Sequence, residues 1–192
     1  APKEAQVVEV TGSQFKWEFR YPGKDNTLGR KYYKEINEGA GNPLGQIWAD
    51  RNNHDDIYTT QEMHVVVNKP VKLIIYAKDV IHDVGLAHFR MKMDAVPGIP
   101  TTMWFTPKFT TKEMKSKYGN DFNYEISCDQ MCGAGHYTMR GVLVVETQAE
   151  YDAWLAQKQP QYQAANPAPA APPAATPAQQ PADTTKPIAL NK

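Results

Sequence analysis

Cys128-Asp129-Gln130-Met131-Cys132-Gly133-Ala134-Gly135-His136-Tyr137-Thr138-Met139 holds both cysteines of the chain, one of its five histidines and one of its seven methionines. The spacing is Cys-x3-Cys-x3-His-x2-Met. Thiolate, imidazole and thioether are ligands that copper and zinc take in preference to calcium or magnesium. So many soft donors in one short segment can close on a metal with little help from distant chain. Gly133 and Gly135 suit a loop that turns tightly and brings backbone close to a site. Val142-Leu143-Val144-Val145 follows at once and reads as a buried strand. The picture is a ligand loop on the lip of a β-sheet.

A disulfide between Cys128 and Cys132 is the plain alternative. It would close a very short loop, constrain the unfolded chain little and leave the His and Met placement to coincidence. Zinc is the rival metal, but structural zinc takes Cys and His and avoids thioether. A mononuclear blue copper site uses two His, one Cys and an axial Met. Here a second cysteine is present and one more histidine is needed.

Outward from the loop, the chain reads as strands. Phe15, Trp17, Phe19 and Tyr21 alternate with polar residues, the period of a strand with one apolar face. Further strands are predicted at Val7–Val10, Glu62–Asn68, Val71–Ala77, Leu86–Met93, Met103–Phe105 and Phe122–Ile126. Residues 22–58 are rich in Gly, Asn and charge and read as an insertion of long loops with a short helix near Tyr32–Glu38. Its Asp50, Asp55 and Asp56 form either an acidic patch or a solvated run. A helix is predicted over Thr110–Tyr118, stopped by Gly119. Thr147-Gln148-Ala149-Glu150 is a capping-box pattern that opens a second short helix with Tyr151, Trp154 and Leu155 on one face. Residues 159–192, rich in Ala and Pro, are expected to be a disordered tail, and 1–158 one domain.

With 21 basic and 21 acidic residues the net charge is zero, and nothing points to nucleic acid. Two cysteines are too few for a disulfide scaffold. There is no signal peptide and no apolar run of about 18 residues. The start at Ala1 favours a processed or truncated chain.

The ligand loop resembles the binuclear copper-A loop of cytochrome c oxidase subunit II. Asp79-Val80-Ile81-His82 and Asp94-Ala95-Val96-Pro97-Gly98 are similar to that family's segments and stand in its order before the loop. Gln14-Phe15-Lys16-Trp17 resembles its Gln-Trp-x-Trp stretch. The resemblance implies an all-β, cupredoxin-like Greek-key barrel or sandwich, with the long insertion and a short C-terminal helix. It implies that Cys128 and Cys132 bridge two coppers, that His82, His136 and Met139 are ligands, and that the Gln130 backbone carbonyl is a weak ligand. Among His54, His64, His82 and His88, the residues also favour His82, which ends an apolar strand and begins a turn. The family usually has glutamate where Gln130 stands, helping to hold magnesium against the large subunit. A neutral glutamine takes that carboxylate away from the magnesium, with only Asp129 beside it to supply charge.

The resemblance further implies an electron-accepting subunit of a haem-copper terminal oxidase. It would take electrons from cytochrome c at Phe15 and Trp17 and pass them to haem in the large membrane subunit. The membrane would be reached through segments not in this sequence, on the periplasmic face of a bacterial inner membrane. Periodicity offers Phe15 equally as a core residue. The other classes weighed are the copper-A domain of a nitrous oxide reductase, a soluble copper carrier or assembly factor, and a disulfide-bonded module.

Overall fold

The computed structural model describes residues 1–167. Ten strands form two five-stranded sheets. The first is ordered β3-β2-β1-β5-β8, from β1 (Gln6–Ser13), β2 (Lys16–Tyr21), β3 (Ile57–Thr60), β5 (Val71–Ala77) and β8 (Thr101–Phe105). The second is ordered β4-β10-β9-β6-β7, from β4 (Glu62–Val66), β6 (His82–Leu86), β7 (Met91–Ala95), β9 (Tyr124–Cys128) and β10 (Arg140–Glu146). Parallel pairing of β1 with β5 and of β10 with β4 marks the crossings between sheets that a hairpin meander would lack.

The alternation read from the sequence is what packs the sandwich. Val8, Val10, Trp17, Phe19, Tyr21, Leu73 and Ile75 point inward from the first sheet, and Met63, Val65, Val84, Leu86, Ile126 and Leu143 from the second. Each is fully buried, and each contributes about 1.5–3 kcal/mol relative to an exposed side chain.

Helix α1 (Thr111–Tyr118) begins at a capping box of Thr110 and Glu113 and stops at Gly119, whose φ of +106° suits glycine. Helix α2 (Gln148–Ala156) carries the predicted Thr147–Glu150 box. It seats Trp154 on Tyr21 and stacks it on His64, 4.0 Å between ring centres.

Three expectations are corrected. The strand predicted over Leu86–Met93 is two strands joined by a turn at Ala87–Phe89, closed by Arg90 at φ +56°. The alternation holds on both sides of the turn, so periodicity alone cannot show it. The insertion contains no α-helix, only short 3-10 turns at Tyr33–Glu35, Glu38–Ala40 and Arg51–Asn53. It is nonetheless ordered, because it lies over the outer face of the first sheet and buries polar groups there. One terminal nitrogen of Arg20 of β2 donates to Asp56 at 3.0 Å and Asn53 at 2.9 Å. The other donates to the Gly29 carbonyl at 3.0 Å and pairs with Glu9 of β1 at 2.9 Å. The acidic patch is thereby dissolved: Asp56 is buried in this pair, and Asp50 caps a turn and pairs with Arg30 at 3.0 Å.

The third correction is at the tail. Residues Gln161–Ala165 form a short helix α3 against the insertion. Tyr162 stacks on His54 with 3.9 Å between ring centres and meets the edge of Trp48. His54 is held there with its Nε2 2.8 Å from the Trp48 carbonyl. One tyrosine in a low-complexity segment supplies the anchor. The rest of the tail, 168–192, lies outside the described residues.

Candidate metal centre

The ligand loop runs from the end of β9 to the start of β10, two strands that pair directly through Arg140–Ser127 and Gly141–Ile126. Its two ends are therefore fixed to each other. Cys128 is the last residue of β9, Met139 immediately precedes β10, and the Cys128 N–H donates to the Met139 carbonyl at 3.2 Å. His82 opens β6, the neighbour of β9, and so stands beside Cys128. His136 begins a single 3-10 turn, His136–Thr138, which swings its ring back over the loop.

These placements bring all the sequence-predicted donors together. The Cys128 and Cys132 sulfurs are 3.8 Å apart and unbonded, well beyond a disulfide bond of about 2.05 Å. The His82 Nδ1 lies 3.8 Å from Cys128 Sγ, and the His136 Nδ1 lies 3.7 Å from Cys132 Sγ. Met139 Sδ is 3.9 Å from Cys132 Sγ, and the Gln130 carbonyl is 3.1 Å from Cys128 Sγ. His82, Cys128 and Cys132 alone satisfy the spacing of a metal-binding cluster, with donor atoms within 4.8 Å of one another. The donor set is two thiols flanked by one imidazole on each side, a thioether toward one thiol and a carbonyl toward the other. His82 and Met139 are fully buried and the cysteines nearly so. His136 is half-buried at the surface.

The chemistry of the donors fits copper: soft sulfur and imidazole, with a thioether that zinc sites do not use. Without metal, burial and the neighbouring Cys128 push the Cys132 thiol up to about 11. Binding must therefore release protons, so apparent affinity rises with pH.

The sequence did not single out Asp79, three residues before His82, although an Asp-x-x-His pattern across a turn is a readable signal. Asp79 Oδ1 accepts from His82 Nε2 at 2.8 Å. This fixes the ring so that Nδ1 faces the sulfurs, the usual job of a carboxylate behind a ligating histidine. Burial works against the Asp79 charge, but donation from Gln14 N–H, the His82 ring and Val80 N–H holds its carboxyl below the ordinary range.

Phe15 and Trp17 part company. Trp17 is fully buried, edge-on to His82 with ring centres 6.1 Å apart. It has no surface to offer a donor, so its expected contact role is replaced by packing behind the ligand. Phe15 is half-buried and packs against Gly133 and Gly135, where a Cβ at Gly135 would strike its ring. His64 is occupied by Glu146 at 2.9 Å, and His88 packs against Phe122 and Tyr124. Neither is near the donors.

If Met139 is a weak thioether ligand, Met139→Leu is expected to leave metal bound while shifting its reduction potential, because such a ligand tunes more than it holds. Metal content and a redox titration of the same sample check this; loss of metal would show the thioether to be a principal ligand.

A family model described as cytochrome C oxidase subunit II, periplasmic domain, matches residues 6–147. The alternative cytochrome c oxidase subunit 2 of Bradyrhizobium diazoefficiens is 36% identical over 159 residues, covering 82% of this chain and 53% of that protein. The cytochrome c oxidase subunit 2 of Thermostichus vulcanus is 30% identical over 153 residues, covering 80% of this chain and 33% of that one. The chain thus spans about half the length, or less, of these relatives. A crystal structure of the periplasmic domain of subunit II of cytochrome oxidase from Bradyrhizobium japonicum shares the fold, with a TM-score of 0.56 at 22% identity over 81% of this chain and 94% of that one. By the family match and the sandwich that carries its loop, this chain belongs to the cytochrome c oxidase subunit II periplasmic-domain family.

Proposed function

We propose that this chain is the electron-accepting domain of a haem-copper terminal oxidase, holding a binuclear copper-A centre on the periplasmic side of a membrane. It would accept electrons one at a time from a c-type cytochrome and pass them to haem in the large membrane subunit. The observation that carries the reading is the pairing of two thiols 3.8 Å apart with one imidazole beside each. A one-metal site has no use for that arrangement. Cys128 and Cys132 would bridge, His82 and His136 would each serve one copper, and Met139 and the Gln130 carbonyl would complete them. When bound, such a pair supplies a one-electron carrier whose charge is shared between two metals.

The chain's own residues supply the rest. The paired strands β9 and β10 hold both ends of the loop, so the donors have little freedom to rearrange. Trp17 and Met139 close the inner side against water. Toward solvent, the same end of the sandwich shows Ile81, Met131 and Tyr137, exposed by 45%, 66% and 78%. Apolar surface of this kind can be desolvated in a short-lived contact. Burial of the sulfurs speaks against a copper carrier, which needs donors that a partner can reach. Gln130 turns its side chain to solvent and offers no carboxylate, so magnesium has no glutamate here.

The test is reconstitution with copper, followed by metal analysis and EPR. Two coppers per chain, no zinc and a delocalised mixed-valence signal are expected. One copper with a localised four-line spectrum would overturn the reading.

A further inference from the structure

The turn between β1 and β2 reaches into the metal centre from the other sheet, and one residue makes both contacts. The Gln14 backbone N–H donates to Asp79 Oδ2 at 2.7 Å. The same carboxylate orients His82 through its other oxygen. The Gln14 side chain donates from Nε2 to the Cys132 carbonyl at 2.6 Å. The ligand loop is shaped to receive it. Gly133, next to Cys132, adopts φ +136°, and Gln14 Nε2 lies 2.9 Å from where a Cβ there would stand. The turn is anchored from behind. Lys16 pairs with buried Glu18 at 3.3 Å and with Glu38 of the insertion at 3.2 Å, and the Lys78 N–H donates to the Gly12 carbonyl at 3.0 Å.

We propose that Gln14 is a positioning residue that ties the His82 side of the metal centre to the Cys132 side, fixing the loop on which Cys132 sits. This rests on the copper reading for its consequence, though not for its geometry. The second sheet joins Cys128 to His82 and to Met139 by backbone pairing. Cys132 lies in the middle of the loop, outside that ladder, and the amide from Gln14 restrains it from outside the loop. Without that amide the Cys132 carbonyl loses its donor and the loop between Cys128 and His136 loosens.

Two variants of similar size separate the hydrogen bond from packing. Gln14→Glu keeps the shape but replaces the donor with an acceptor that repels the carbonyl; Gln14→Met keeps bulk without either. In the metal-free chain, alkylation of Cys132, resolved from Cys128 by peptide mass analysis, is expected to quicken about tenfold in both, with the melting temperature unchanged. In the copper-loaded chain, loss of copper to a chelator is expected to rise about tenfold, the size usual for groups that orient ligands. The absorption maxima and potential should move with it. Unchanged Cys132 alkylation would overturn the proposal. So would a rise that merely follows a lowered melting temperature. Copper content of the unsubstituted chain reports separately on the function: if it binds no copper pair, that reading fails, while the alkylation result still decides the role of Gln14.

Discussion

Cys128→Ser and Cys132→Ser are each expected to abolish the copper centre, not merely weaken it. A serine hydroxyl is a hard oxygen that stays protonated, whereas the site needs a soft anion that two metals can share. Complete four-ligand thiolate and imidazole sites bind with roughly 10–16 kcal/mol near neutral pH. One ligand in four is then worth about 3 kcal/mol, or about a hundredfold in affinity. A bridging cysteine gives up that contribution at both metals at once. The sulfurs are also buried, Cys128 and Cys132 being 7% and 4% exposed, so another protein ligand has little room to take the place of a serine there. Copper content after gel filtration, with the thiolate absorption bands, reads the result. A Cys132→Ser chain that kept one copper and an intense thiolate band would show that Cys128 alone can build a mononuclear site. The bridging role would then fall.

The candidate site was legible because its donors are chemically distinctive and most lie within one short stretch. His82, far off in sequence, reads as the end of an apolar strand, whereas it opens β6 after a turn; its place at a strand–turn boundary is what the sequence shows. What stayed hidden was everything that holds those donors through ordinary residues. Asp79 and Gln14 carry no unusual chemistry, and although Asp79 holds the nearby His82, Gln14 finds Asp79 and Cys132 only across the sandwich. Local patterns see periodicity along one strand and are blind to which strand lies opposite. The insertion fails for a related reason. Its Gly, Asn and Asp content describes a loop correctly, but the composition does not reveal that Arg20 waits beneath it. Arg20 sits on the polar side of a strand and looks solvent-facing until the insertion is laid over it. The same holds for Tyr162, which packs only because Trp48 and His54 provide a slot.

Arg20→Met is expected to destabilise the domain by about 3–5 kcal/mol, the cost of leaving buried charge without its partner. At roughly 2–4 °C per kcal/mol for a chain this size, the melting temperature should fall by on the order of 10 °C. The loss falls mainly on Asp56. Glu9 keeps Lys31, but Asp56 keeps only the Gly29 N–H at 3.2 Å, and its Oδ1 already lacks any partner. Burial pushes the Asp56 carboxyl up to about 7, with Arg20 and the Gly29 N–H pulling it back. Removing the guanidinium lets it rise further. A carboxyl whose folded pKa lies above its unfolded value loses stability as pH rises toward the folded pKa. Native chain and variant therefore lose alike up to about pH 7, and only the variant goes on losing above it. The gap in melting temperature should be smaller at pH 6 than at pH 8.5. Arg20→Met combined with Asp56→Asn should recover much of the loss and flatten the pH dependence, since no buried charge remains at that position. An Arg20→Met chain that melts within 2 °C of the parent, or a gap that narrows above pH 7, would mean that the insertion is held by its hydrogen bonds and that the buried ion pair contributes little.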